Sequence, residues 1–407
     1  MSGLARCNFL FRHVYTIAQQ RFWIGAVMTA TRATVEYLIA RIIRLSSWLL
    51  LFAVPLRSPA TKSQNLNRRF MFHPRELRYR RTVWSFLVLT FLVSNYESVH
   101  GAAPLTKVLV TTGSASEREG ALYVAQDQGY FRKYGLDLTL VQVRNGPVGM
   151  SALSSGESLL HWGSVSAANL GAIAEGADLV FVAGFINRLT GTFAVNPTIN
   201  SPAELKGKNL GVNSLSGGTW IFTMLTLDHW GLAPARDKIQ MRALGDNSVV
   251  SQALLAGNVD AAYLSYTYAK IVQNKGFRVL ADLEKLPIAF QGTGIITRRS
   301  TIASSAGTVE NVIKALLDGV AFIRISENKP QVVKSLAKGL RLKRIEDAEE
   351  GYQSMLSIYE RKIYPSVDGV RNVIRLLGAG NEKIRRLKAE ELVDDSVVKR
   401  LEKEGRF

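Results

Sequence analysis

Two stretches about a hundred residues apart, "ALSSGESLLHWGS" (152–164) and "ALLAGNVDAAYLS" (253–265), follow one pattern. Each has Ala-Leu, a Gly three residues after that Leu, a short apolar run, and a Ser eight residues beyond the Gly. Their surroundings match as well. A helical pattern ending "KYGL" (133–136) and a strand-like run precede the first, and one ending "HWGL" (229–232) with its own strand-like run precedes the second. Order and spacing agree to within about five residues, which the loop "APARD" supplies. Each Gly stands where a helix would end in the left-handed conformation that other residues resist. Shared stop signals would explain one match; several in order imply that the chain builds the same α/β lobe twice.

The remaining pattern supports this. Apolar strand-like runs at 107–113, 136–143, 158–164 and 178–185 alternate with helical stretches at 119–135, 146–156 and 166–176. Alternation with near-continuous apolar strands predicts an α/β fold, each lobe a mostly parallel sheet flanked by helices. The pattern restarts at 201–212, where Ser201, Pro202, Glu204 and Gly207 form a complete helix start-and-stop signal. Strand, helix, strand, helix and strand follow to 265, and "FQGTGIITRRS" (290–300) reads as a strand returning to the first lobe, with helices to the end. The expected division is 104–190 plus 290–407 for the first lobe and 191–289 for the second, with hinges near 190–197 and 284–292. Open α/β sheets bind ligands beyond the C-terminal ends of their strands, so two such edges would face each other across one cleft.

Charge and cysteine narrow the function. The formal charge of +18 suggests nucleic acid only if spread evenly, and it is not: residues 1–81 hold 14 Lys and Arg against two acids. After Gly101 there are 37 basic and 30 acidic residues, so no nucleic-acid partner is expected. The one cysteine is Cys7, which leaves the body without a thiolate nucleophile, disulfide or cysteine metal site. No metal-ligand cluster or nucleophile-elbow motif occurs, so no catalytic residue, metal or cofactor is expected.

The N-terminal part has the three parts of an export signal: Arg75, Arg78, Arg80 and Arg81, an apolar run of eleven residues at 83–93, and small residues at 101–103. The run is short for a membrane span. Residues 71–103 are expected to be a signal peptide cleaved near 100–103. Residues 1–70 would then be an upstream extension, with translation starting at Met71.

"ALYVAQDQGYFRKYGLDLTLVQV", "INSPAELKGKNLGV", "ALLAGNVDAAYLS", "FQGTGIITRRS" and "IYPSVDGVRNVIRLL" make the chain from about Leu105 onward resemble the substrate-binding components of ABC importers in the nitrate/sulfonate/taurine group, the type II periplasmic binding proteins. The resemblance implies a monomeric, periplasmic, two-lobed receptor that closes on a small solute (an anion such as a sulfonate, or a heterocycle such as a pyrimidine) and delivers it to a permease with its ATPase. The alternatives are an enzyme on the same fold, akin to fungal proteins that make the thiamine pyrimidine, and a periplasmic sensor module. Those enzymes carry a cysteine-rich motif that this body lacks. One departure is that "GESL" stands where the second lobe has "GNVD", with Ser158 read at the acidic position.

Four loops are expected to reach the cleft. "GSASEREG" offers Ser114 and Ser116 beside helix-start amides, although Glu117 and Glu119 would repel an anion unless they face solvent. "NSLSGGTW" offers Ser216, Gly217, Gly218 and Thr219, hydroxyls together with glycines that let backbone approach a ligand. The strand ends offer Trp162, Ser164, Ser166, Ser265 and Tyr266, with Tyr263 as wall or core. Asn187 follows another strand, beside an Arg188 expected at the surface, and His161 is expected to be packed or exposed rather than a ligand.

Overall fold

A computed structural model describes residues 104–113, 115–143 and 146–407. The expected extension (1–70), the expected signal (71–103) and Ser114 lie outside the described residues.

Two five-stranded sheets form the fold. The first contains β1 (Thr106–Thr112), β2 (Leu136–Gln142), β3 (Leu160–Gly163), β4 (Leu179–Gly184) and β10 (Gly294–Arg298) in the order β2-β1-β3-β10-β4. The second contains β5 (Thr192–Val195), β6 (Asn209–Val212), β7 (Gln240–Ala243), β8 (Ala261–Leu264) and β9 (Arg278–Asp282) in the order β7-β6-β8-β5-β9. Place for place the orders are the same, and in each sheet the fourth strand alone is antiparallel to its neighbours. That strand comes from the other run of chain: β5 follows β4, and β10 follows β9. The doubled pattern of the sequence is therefore a doubled lobe, stitched by one exchanged strand in each direction. The apolar runs fill the cores: β4, β5 and β8 are buried along their whole lengths.

The glycines that close the repeated motifs have the expected left-handed backbone: φ is 73° at Gly135, 69° at Gly231, 86° at Gly156 and 73° at Gly257. At "GESL" the register differs from the sequence reading. Leu159, not Ser158, occupies the place of Asp260: the Leu159 amide donates to the Leu109 carbonyl (3.0 Å) as that of Asp260 donates to Asn209 (2.8 Å).

Three further expectations change. The helix at 119–135 is a 3-10 turn (Glu117–Glu119) followed by α1 (Gly120–Asp127) and α2 (Tyr130–Lys133), because Gly129 at φ 74° breaks it. The signal at 201–207 produces only a 3-10 turn, Pro202–Leu205, because Ser201 and Gly207 leave too few residues for a costly helix nucleus to propagate. The hinge near 190–197 contains β5, buried between β8 and β9, so the chain crosses between sheets at 185–191 and 283–293.

The second crossing is clamped by helix α11 (Val367–Gly378). A Cβ at Gly369 would lie 2.0 Å from the Gln291 amide nitrogen and 2.2 Å from the Phe290 carbonyl carbon, whereas one at Gly171 in α4 (Ala167–Ala174) would meet nothing within 4 Å. Gly369→Ala is therefore expected to destabilise by about 2 kcal/mol or more through overpacking. Gly171→Ala should stabilise by up to ~1 kcal/mol through helix propensity. Urea unfolding of the two variants checks the opposite signs.

Candidate functional site

The C-terminal strand ends of both sheets meet at a half-open cavity of about 50 Å³, room for roughly four water molecules. The first lobe lines it with Thr112, Gly113, Arg118, Glu119, Gly146, Met150, 161–164, Ser166 and Asn169. The second lobe supplies Asn213, Ser214, Gly217, Gly218 and Thr219, and the second crossing supplies Thr293.

Three helices begin at this cavity: α3 (Gly146–Ser155), α4 behind its N-cap Ser166, and α5 (Gly218–His229) behind Gly217. The helix dipole makes each terminus a favourable neighbour for negative charge; at α4 the Ala168 and Asn169 amides already donate to the Ser216 carbonyl and to Ser166 Oγ. Gly217 supplies no side-chain cap, so the first α5 amides are left to other partners. A Cβ at Gly218 would lie 2.4 Å from Ser164 Oγ. A side chain at 218 would have to displace the Ser164 hydroxyl where the two lobes approach.

Arg118 is the cation of the site. It is 4 % exposed, and its guanidinium carbon sits 4.9 Å from the centroid of Phe222 in α5, across the lobe boundary. Desolvated stacking of this kind contributes about 2 kcal/mol. Burial alone would lower its pKa; Tyr263, Glu119 and Glu117 outweigh that and raise it. Arg118 stays charged.

Glu117 and Glu119 are buried, not turned to solvent as an anion site seemed to require. The Glu119 carboxylate accepts from the Ser116 amide (3.0 Å) and hydroxyl (2.6 Å), and burial pushes its pKa up against the pull of Arg118 and Ser116. Glu117 reaches the other lobe. It accepts from the Tyr266 amide (2.8 Å) and the Thr267 hydroxyl (3.0 Å) at the start of α7 (Tyr266–Gln273). A second cross-lobe bond runs from the Ala168 amide to the Ser216 carbonyl (3.0 Å).

His161 is held between two glycines: a Cβ at Gly149 or Gly163 would lie 2.5–2.6 Å from its ring. Its Nδ1 pairs with Thr111 Oγ1 at 2.9 Å, and burial lowers its pKa to about 4. The ring lines the cavity as neutral imidazole at pH 7.

Of the residues expected at the site, the structure gathers Trp162, Ser164, Ser166, Gly217, Gly218 and Thr219 on the cavity wall. Ser116 is engaged with Glu119 instead, and Ser216 contributes its carbonyl to α4. Asn187 donates to the Tyr364 carbonyl (2.7 Å), and the Tyr266 hydroxyl donates to Asp282 (2.7 Å), both away from the cavity. Ser265 is buried at the start of α7 outside the wall, and Tyr263 packs edge-on against Phe222. Arg188 is half-exposed and pairs with Glu284 and Glu360. Arg118, Asn213, Ser214 and Thr293 were missed by the sequence reading. Asn213 and Ser214 stand in the quoted loop at the end of a strand, which is the signal that could have found them.

Two sheets of one topology closed over a cavity at their strand ends define the two-lobed periplasmic-binding-protein fold. The chain belongs to the NMT1/THI5-like family, whose model matches residues 118–345. It is 26% identical over 272 residues to a candidate binding protein of Brucella abortus, covering 65% of this chain and 79% of that one. Among solved structures it is similar to the alkanesulfonate-binding protein SsuA of Xanthomonas axonopodis pv. citri bound to MOPS (TM-score 0.57, 20% identity, 74% of this chain and 98% of that one). It is also similar to the periplasmic nitrate-binding protein NrtA of Synechocystis PCC 6803 (TM-score 0.61, 11% identity, 74% and 89%).

Two outcomes follow from these contacts. His161 is neutral in the fold and titrates near 6.5 when unfolded, so its contribution is complete above pH 6.5 and is lost as pH falls toward about 4. The loss approaches about 3 kcal/mol. His161→Gln should flatten the stability profile over that window, as followed by urea unfolding at stepped pH. Separately, Glu117→Gln and Thr267→Val should each weaken the cross-lobe contact by about 1–2 kcal/mol. Energy transfer between dyes placed one on each lobe should then report wider separation in the ligand-free chain; unchanged transfer would show that Glu117 does not hold the lobes.

Proposed function

We propose that this chain is an exported receptor that captures a small solute, foremost an anion, by closure of its two lobes and delivers it to an ABC permease and ATPase. The proposed working unit is a monomer in the periplasm, with lobes formed by 104–190 plus 290–407 and by 191–289, and with 71–103 as the export signal. Kinship with the NMT1/THI5-like family and the likeness to SsuA and NrtA support the class.

The observation that carries the choice of an anion is Arg118, a charged guanidinium buried in the cavity wall where helices from both lobes begin. A negative solute would lie beside this guanidinium and the uncapped start of α5 while bridging the lobes. It would favour the closed form by its differential affinity for it. Trp162, Ser164, Ser166, Gly217, Gly218 and Thr219 are the expected contacts beside Arg118.

Titration calorimetry of the full chain against a panel of small mono-anions tests this reading. At least one anion should bind, and Arg118→Met should weaken it by about a hundredfold (~3 kcal/mol). Absence of binding across the panel, or unchanged affinity in a folded Arg118→Met chain, would remove the anion reading.

A further inference from the structure

We infer that the solute is a small organic mono-anion carrying an N–H donor within a bond or two of its acid group, and that Asn213 selects for that donor. This rests on the anion-receptor reading above and deepens it.

Asn213 lies at the end of β6 and is 7 % exposed. Its backbone is fully engaged: the amide donates to Thr219 Oγ1 (3.3 Å), and the carbonyl accepts from the Gly245 amide (3.1 Å). The side chain is thereby fixed in the cavity wall, yet neither its Nδ2 nor its Oδ1 has a protein partner. Beside it, Ser214 Oγ and Thr293 Oγ1 are also buried on the wall without partners. Buried polar atoms are almost always satisfied, so four such atoms around one small cavity describe the missing half of a hydrogen-bond set.

That set has a sign pattern. Hydroxyls can rotate to donate or accept, so Ser214 and Thr293 adapt to any polar ligand. Asn213 Nδ2 and the helix-start amides only donate, which suits the acid group. Asn213 Oδ1 and the carboxylate of Glu119, also on the wall, have no proton to give unless the carboxyl is protonated. An acceptor-only anion such as nitrate or a simple sulfonate displaces water from the Asn213 oxygen and leaves it orphaned. It also meets the Glu119 oxygens with like charge. A ligand N–H turned toward these acceptors satisfies the Asn213 oxygen and places a donor between the acid group and the Glu119 oxygens, and the cavity volume of about 50 Å³ favours a small ligand.

Two pairs of near-isosteric mono-anions isolate the donor: oxamate against pyruvate, and sulfamate against methanesulfonate. In each pair an amino group replaces a methyl. Calorimetry on the full chain should find the aminated member at least about tenfold tighter in both pairs. In Asn213→Leu the ratio should collapse to within about twofold. Ser214→Ala, losing a group that can donate or accept, should lower affinity within each pair alike and keep the ratio. Equal or tighter binding of pyruvate and methanesulfonate overturns the inference and leaves the anion receptor standing. A preference that survives in a folded Asn213→Leu chain overturns the role of Asn213. Should that variant not fold, the ratios in the native and Ser214→Ala chains decide. Binding of none of the four, with no other anion bound, removes the receptor reading and this inference with it.

Discussion

The stacking of Arg118 on Phe222 is the contact around which the site is arranged. A guanidinium buried to 4 % exposure survives only where charge and dipoles compensate the loss of water. Here Glu117 and Glu119 of the first lobe supply opposing charge, and the second lobe adds the aromatic faces of Phe222 and Tyr263, so the compensation is drawn from both lobes. The ring is itself braced: Phe222 makes edge-on contacts with Tyr263 (4.9 Å) and Phe290 (5.0 Å), one from a strand of the second sheet and one from the second crossing. The cation therefore reads the position of β8 and of the crossing chain at once.

Strand exchange explains how this coupling is built. Because β5 follows β4 yet joins the second sheet, and β10 follows β9 yet joins the first, the chain passes between lobes twice, at 185–191 and 283–293. Thr293, the last residue before β10, ends the second passage on the cavity wall. A solute that contacts it touches the crossing itself. The cavity wall and the connection between the lobes thus share a residue.

How far the sequence disclosed this depends on whether the cause was local. Glycine stops, apolar runs and the repeated spacing are local, and they specified two lobes, the strand that returns at 290–300 and the loops at strand ends. Within those loops Trp162, Ser164, Ser166 and 217–219 reached the cavity because a strand end leaves little choice of direction. The misplaced residues failed for tertiary reasons. Asn187 finds the Tyr364 carbonyl 177 residues away, and Tyr266 finds Asp282, partners that no local pattern announces. Arg118 was invisible for the same cause: Glu-Arg-Glu looks like a solvated turn until Phe222 and α7 close over it. The capping signal at 201–207 failed differently, because correct end residues do not make a helix without a body between them.

The same three residues show why charge counting misjudges this cavity wall. Two acids flank one arginine, which by tally is a net negative turn. Each carboxylate, however, is held by donors that point elsewhere: Glu117 by the amide and hydroxyl that open α7, Glu119 by the amide and hydroxyl of Ser116. A carboxylate matched to backbone amides projects a weaker field than its formal charge, because the oriented dipoles oppose it over the first few ångströms. What reaches the cavity is then weighted toward the guanidinium and the uncapped start of α5, with Glu119 as the opposing group on the wall. The acids are not idle: one fastens the second lobe, the other gives the wall its fixed acceptor. A turn of three charged residues thus divides between lining the cavity and joining the lobes according to where each oxygen finds its hydrogen.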